Sequence, residues 1–305
     1  MKRTVTSHLD LGLSGPVRLV LAVAAAQGSP FESQSLQVSV DGAPVVPREL
    51  VDITGNRMHV LDADGSKVVM DYEAVVDGEA APPPVDDFDL ITYLRPSRYC
   101  ESDSLAPTAA AEFGGVQGAA LLDAVSTWVS DILTYVPGSS LPTDGAVRTF
   151  LGRQGVCRDY AHLCIALLRA MNVPARLAAV FAPGLSPMEY HAVCEAYVAG
   201  GWYIVDATRL APRQSLLRVS TGRDAADTAF LTNFGGPVAT RSRLCRGASL
   251  VASTTNQPPG PPSGVVPRYA SQTAWYSIGL SPGAKTAASR AGTFSARRSA
   301  MHRCA

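Results

Sequence analysis

The sequence predicts an α+β protein in which a small all-β unit precedes a core of helices and antiparallel strands. Three observations carry this expectation. Period-two alternation runs through the first eighty residues, helical spacing takes over from about residue 118, and short alternating segments return from residue 175. After about residue 240 all periodicity is lost.

In the first part, Val17–Val23, Ser35–Val40, Met58–Asp62 and Lys67–Val76 are the candidate strands. Asp41-Gly42 and Asp64-Gly65 are dipeptides that suit two-residue hairpin turns. Strands of this length and spacing suggest a small sandwich or barrel, so residues 1–80 are predicted to form an N-terminal β domain, sandwich-like in kind. Ala80-Ala81-Pro82-Pro83-Pro84 is stiff and cannot continue a strand, and residues 81–117 are read as a linker and connecting segment. Asp86, Asp87 and Asp89 within it are expected to be solvated. Met1-Lys2-Arg3 precedes an apolar run at Leu19–Ala26, but His8, Asp10 and Arg18 interrupt what a secretory leader would need.

Leu121, Val125, Trp128, Ile132 and Tyr135 then recur at helical spacing up to Pro137-Gly138. Asp144 is placed to cap a short helix through Phe150. A third helix starts at Cys157 and ends before Pro174. Ala175–Ala182, His191–Val198 and Trp202–Asp206 read as strands, the last two joined at Ala199-Gly200-Gly201. These elements make residues 118–238 the core domain. Residues 239–305 are rich in Ser, Ala, Gly, Pro and Arg and are predicted to be a disordered basic tail.

The formal net charge is zero but unevenly spread, since no Asp or Glu follows Asp227 while Arg241, Arg243, Arg246 and further basic residues do. The tail lacks the interleaved aromatics of a recognition module, so specific nucleic-acid binding is not expected. No apolar run reaches the length of a membrane span. The six cysteines include no C-x-x-C pair and read as reduced thiols, which makes the cytoplasm the expected location. No metal or cofactor motif is present in the sequence: Cys157, His162 and Cys164 are too spread along one helix to share an ion, so no cofactor is expected.

Cys157 stands where a loop becomes a helix. The first turn of a helix has unpaired N–H groups and positive dipole character, which favours a thiolate, the nucleophilic form. Gly155 is expected to let backbone approach a substrate carbonyl closely. Acyl transfer from an amide also needs a group to protonate the leaving amine. His162 lies roughly 140° round the helix from Cys157 and is expected to be structural, whereas His191 opens a strand. An acceptor must orient that imidazole. With a two-residue turn at Ala199-Gly200, His191 lies opposite Thr208 and Asp206 is its diagonal neighbour on the same face. A three-residue loop would put the two on opposite faces, so the register is an assumption. Cys194 is read as core, and Arg95 and Arg98 as structural anchors, with carboxylate recognition an open alternative.

With GVCRDYAHL around Cys157, NVPAR at Asn172–Arg176, HAVCEAYV and GWYIVDATR, the chain resembles the transglutaminase-like superfamily, whose core is papain-like. Upstream, LRPSRYCESD (Leu94–Asp103) resembles a segment of bacterial members that have an extra N-terminal β domain. The resemblance implies a papain/transglutaminase-like core after a small sandwich. It also implies Cys157 as nucleophile, His191 as acid and base, and Asp206 as its orienter. Val193 and Asp206-Ala207-Thr208 depart from the Trp and D-P-T usual in the family. For the oxyanion, the backbone N–H of Cys157 is the expected donor, and Gln154 is the candidate side chain. The implied activity is cysteine-dependent acyl transfer from a peptide or protein amide through a thioester, with hydrolysis by a peptidase or amidase favoured. The alternatives are an amine-incorporating transglutaminase and a non-catalytic binding module on the same fold.

Overall fold

The computed structural model describes residues 1–82, 85–250 and 277–279. The chain opens with β1 (Lys2–Leu13), β2 (Val17–Leu21), β3 (Phe31–Val40), β4 (Ala43–Val45), β5 (Arg48–Val51), β6 (Arg57–Ala63) and β7 (Lys67–Asp77). Strands β1, β7, β3 and β4 belong to one sheet, and β2, β6 and β5 to a second. Val5, Leu9 and Met70 of the first sheet share one core with Leu19, Leu21 and Leu61 of the second, which makes the unit a sandwich.

Strand β1 is absent from the predicted set. Two of its buried positions hold Arg3 and Ser7 rather than apolar residues, which hides its alternation. Both find partners: the terminal nitrogens of Arg3 donate to the carbonyls of Leu216 and Gly78, and Ser7 shares a 2.7 Å hydrogen bond with the Tyr190 hydroxyl. Asp41 and Gly42, with φ of 48° and 84°, form the expected tight hairpin between β3 and β4. Asp64-Gly65 does not close a hairpin, because β6 and β7 lie in different sheets.

Residues 81–117 are more than a linker. They contain α1 (Asp87–Thr92) and α2 (Ser102–Phe113). Asp86 caps α1, its carboxylate accepting from the Phe88 N–H at 2.9 Å. Helix α2 buries Leu105, Ala109 and Phe113 at intervals of four, but an internal Pro107 and small residues obscure the pattern in sequence. Next come α3 (Gly118–Ile132), β8 (Thr134–Tyr135), α4 (Ala146–Gly152), β9 (Gln154–Gly155) and α5 (Cys157–Ala170). Helix α3 stops before Tyr135, which sits instead on β8, paired with β9. Pro137 disfavours helical backbone at Val136, and Thr134 and Val136 are β-branched. Glu101 rather than Asp144 caps α4, accepting from the Ala146 N–H at 2.8 Å, while Asp144 accepts from the Leu141 N–H.

Helix α5 is buried at every position from Cys157 to Arg169. It packs on an antiparallel sheet of β10 (Ala175–Phe181), β11 (Tyr190–Val198), β12 (Gly201–Val205) and β13 (Leu217–Gly222), in the order β12-β11-β10-β13. The predicted strands of this region are all present. The chain then returns to the sandwich with β14 (Leu231–Gly235), β15 (Val238–Leu250) and β16 (Ser277–Gly279). Strand β14 lies between β2 and β16, and β15 runs antiparallel to β1 along its whole length.

The expected boundary at residue 238, with disorder beyond it, is therefore corrected up to residue 250. The segment has almost no apolar stripe of its own, and its order comes from main-chain pairing with β1 and from the buried Cys245. Of the predicted tail, residues 251–276 and 280–305 lie outside the described residues, as does Cys304. Nor does the sandwich end at residue 80. Its core includes Phe181, Leu217, Val219 and Phe230, and the Asn56 side-chain amide pairs with both the N–H and C=O of Thr221 at 2.8 Å. Among the described residues, no helix is long and apolar enough to cross a membrane.

Candidate active site

Cys157 is the first residue of α5, with Val156 in extended backbone before it. The Asp159 carboxylate holds this corner: one oxygen accepts from the Val156 N–H at 2.9 Å, the other from Arg158 and from Ser140. A Cβ on Gly155 would come within 2.7 Å of the Asp159 Cβ. Gly155 thus makes room for the capping carboxylate.

His191 is the second residue of β11, and Asp206 follows β12 directly. The turn residues Ala199 and Gly200 have φ of 49° and 85°, a two-residue turn that pairs Val198 with Gly201. Continued, that register sets His191 across from Thr208, and the diagonal contact is made: His191 Nε2 lies 2.9 Å from Asp206 Oδ2. A carboxylate only accepts, so Nε2 donates, leaving Nδ1 to face elsewhere. The other Asp206 oxygen accepts from the N–H and hydroxyl of Thr208, at 3.0 and 2.7 Å, which fixes the carboxylate. The ring also stands beside Cys157, and both line the same cavity. Burial opposes a charged imidazole here, yet the bonds and charges of Asp206 and Cys157 outweigh it and push the His191 pKa up to about 10. Burial likewise opposes an ionised Asp206, but His191 and Thr208 hold its carboxyl below the usual range.

Cys157 and His191 are both nearly enclosed, 3% and 2% exposed. They are not sealed in hydrocarbon. Both line a cavity of about 40 Å³ between α5, the sheet and the sandwich, space for about three waters or one small polar group. Ala22, Phe230 and Arg243 form its sandwich side, with Tyr190 of β11 beside them. Burial pushes the thiols of Cys100, Cys164, Cys194 and Cys245 up.

Two further residues stand at the site. Tyr135 stands beside Cys157, and burial together with the Cys157 thiol raises its pKa. Sequence reasoning placed Tyr135 on a helix and missed it; the β-branched, proline-terminated run Thr134–Pro137 was the available signal. Gln154 is exposed on β9. His162, as expected, is turned away: its Nε2 accepts from the Ala225 N–H at 3.1 Å and its ring stacks on Tyr99 at 5.2 Å. Arg95 and Arg98 are exposed, with Arg98 over the Tyr99 ring.

The transglutaminase-like superfamily core matches residues 109–207, a range that contains Cys157, His191 and Asp206. A solved structure of a candidate cysteine protease from Cytophaga hutchinsonii is 35% identical with a TM-score of 0.76, covering 84% of this chain and 92% of that one. The chain belongs to the transglutaminase-like superfamily. The structural likeness reaches beyond the matched core, so this transglutaminase-like protein shares more with that relative than residues 109–207. An uncharacterized protein of Mycobacterium leprae is 29% identical over 120 residues, which is 35% of this chain and 42% of that protein. The chain thus matches less than half the length of that relative.

Proposed function

We propose that this transglutaminase-like protein is a cysteine-dependent enzyme that opens amide bonds of a peptide or protein through a thioester, with water as the final acceptor. The observation that carries the reading is the chain of contacts Cys157–His191–Asp206 at the edge of a cavity, with His191 held towards its charged form. In the proposed mechanism the Cys157 thiolate attacks the amide carbonyl, and the new C–S bond pushes charge onto the carbonyl oxygen. The first-turn N–H groups of α5 face that charge. His191 then gives its proton to the departing amine as the C–N bond breaks. In the second half a water adds to the thioester, His191 takes its proton, and Cys157 leaves as thiolate. Asp206 keeps Nε2 protonated, so that Nδ1 is the nitrogen that exchanges protons.

Tyr135 has a role in this scheme. Its hydroxyl stands close to the Cys157 N–H, the place a substrate oxygen would take, and makes way when substrate enters.

Brief treatment with iodoacetamide near neutral pH tests the reading. Peptide mapping should find Cys157 alkylated well before Cys100, Cys164, Cys194 and Cys245, and His191→Ala should remove that advantage. Equal, slow labelling of all of them would reject a catalytic cysteine and favour a binding module. Offering a labelled primary amine to the acyl-enzyme separates the two acyl acceptors, since incorporation would replace hydrolysis by transamidation.

A further inference from the structure

Strand β15 brings a guanidinium into the cavity. Arg243 lines it together with Cys157 and His191, and the remaining walls are largely apolar: Leu177, Ala179, Val219 and Phe230 among them. Its position is set from two sides. The guanidinium carbon sits 5.3 Å from the centre of the Phe230 ring, and the β15–β1 register puts Arg243 opposite Leu9. Its carboxylate contact within the chain is loose: Glu189 Oε1 lies 3.8 Å from Nη2, on a side chain that is 48% exposed. A single long contact to a half-exposed partner holds little. It leaves the fork of the guanidinium able to take a carboxylate by two parallel hydrogen bonds.

We propose that Arg243 is a specificity residue that binds a carboxylate of the substrate close to the scissile amide. The substrates are then amides next to an acidic side chain or next to a chain-terminal carboxylate. The proposal rests on the catalytic reading of Cys157, because the carboxylate is read only in relation to the attacking sulfur. A small apolar cavity with one convergent cation selects for charge more than for bulk. A neutral isostere would leave the guanidinium without its partner in a nearly closed space. In this arrangement the substrate carboxylate displaces Glu189 towards solvent.

The test uses two alkylating reagents of nearly the same size, iodoacetate and iodoacetamide, on the whole chain. In both cases the Cys157 thiolate displaces iodide and an S–C bond forms, but only iodoacetate has a carboxylate. The ratio of the two rates at Cys157 should be higher than at an unstructured thiol. Arg243→Gln should lower that ratio by about tenfold, almost wholly through iodoacetate, and Arg243→Lys should restore part of it. Arg246→Gln, on the exposed side of the same strand, should leave it unchanged. A ratio that Arg243→Gln does not move overturns the proposal. If neither reagent prefers Cys157 over the buried thiols, the catalytic reading fails and takes the proposal with it. With peptides, Asp against Asn neighbours and free against amidated C-termini tell which carboxylate is read. No preference for acid over amide in either pair overturns the proposal.

Discussion

The start of β11 and the middle of α5 each enclose a histidine, and the two behave in opposite ways. His191 and His162 are both buried. His191 faces a carboxylate and a thiol, and is driven towards its charged form. His162 accepts from a backbone N–H and stacks on Tyr99; burial, with Arg158 and Arg169 nearby, drives its pKa well down. Burial by itself therefore does not decide the state of an imidazole. The partner at hydrogen-bond distance does, and it does so here for two rings on adjoining elements of one core.

The comparison can be broken at several points. The largest effect is expected for His191→Ala, which should lower kcat/KM for any hydrolysed amide by at least about a thousandfold, measured beside Cys157→Ala as the inactive reference. Asp206→Asn should come next, with a fall of roughly 10² to 10⁴ in kcat, because the amide can turn its NH₂ to Nε2 and select the wrong tautomer. The His191 pKa in that variant, followed by NMR, should drop from its raised position. A His191 that still titrates near 10 would show that the carboxylate is not its main support.

The two rings should also leave opposite marks on stability against pH. His162 has a folded pKa below its ordinary 6.5, so its contribution is present above that value and is lost as pH falls. His191 has a folded pKa above 6.5, so its contribution is full below that value and fades as pH rises towards about 10. Thermal melts from pH 5 to 10 should show His162→Gln flattening the acid limb and His191→Gln the alkaline limb. Exchange of these limbs between the two variants would refute the assignment. The smallest effect is on stability at neutral pH, where His162→Gln should cost on the order of 1–2 kcal/mol, since glutamine retains an acceptor for the Ala225 N–H but not the stacked ring.

How much of this was legible beforehand depended on the range of the interaction responsible. The single parts of the Cys157–His191–Asp206 arrangement were readable locally, as a helix start, a strand start and a turn at Ala199-Gly200. Their joint role came from the family resemblance, and the two-residue register, an assumption in sequence, is settled by the pairing of Val198 with Gly201. The α+β order and the sandwich were readable locally too, through alternation in β2, β3, β6 and β7. Strand β1 was hidden because Arg3 and Ser7 point inward and find partners far along the chain, Leu216 and Tyr190 among them. Helix α2 was hidden by Pro107. Strand β15 was hidden most deeply, since almost nothing in Val238–Leu250 announces a strand until β1 lies beside it. Tyr135 was misplaced by a periodicity that ended three residues too early. The apolar helical spacing was real, but a proline five residues past the last turn governed where Tyr135 went.

The pairing of β1 with β15 has a consequence for how the protein is made. On the ribosome, residues 2–13 emerge well before residues 238–250, which follow only after most of the described chain has been translated. At ordinary elongation speeds of about 5–20 residues per second, the first strand waits roughly ten to fifty seconds for its outer neighbour. During that interval one edge of β1 is unoccupied and open to other nascent chains, which makes the newborn polypeptide a natural client for chaperones.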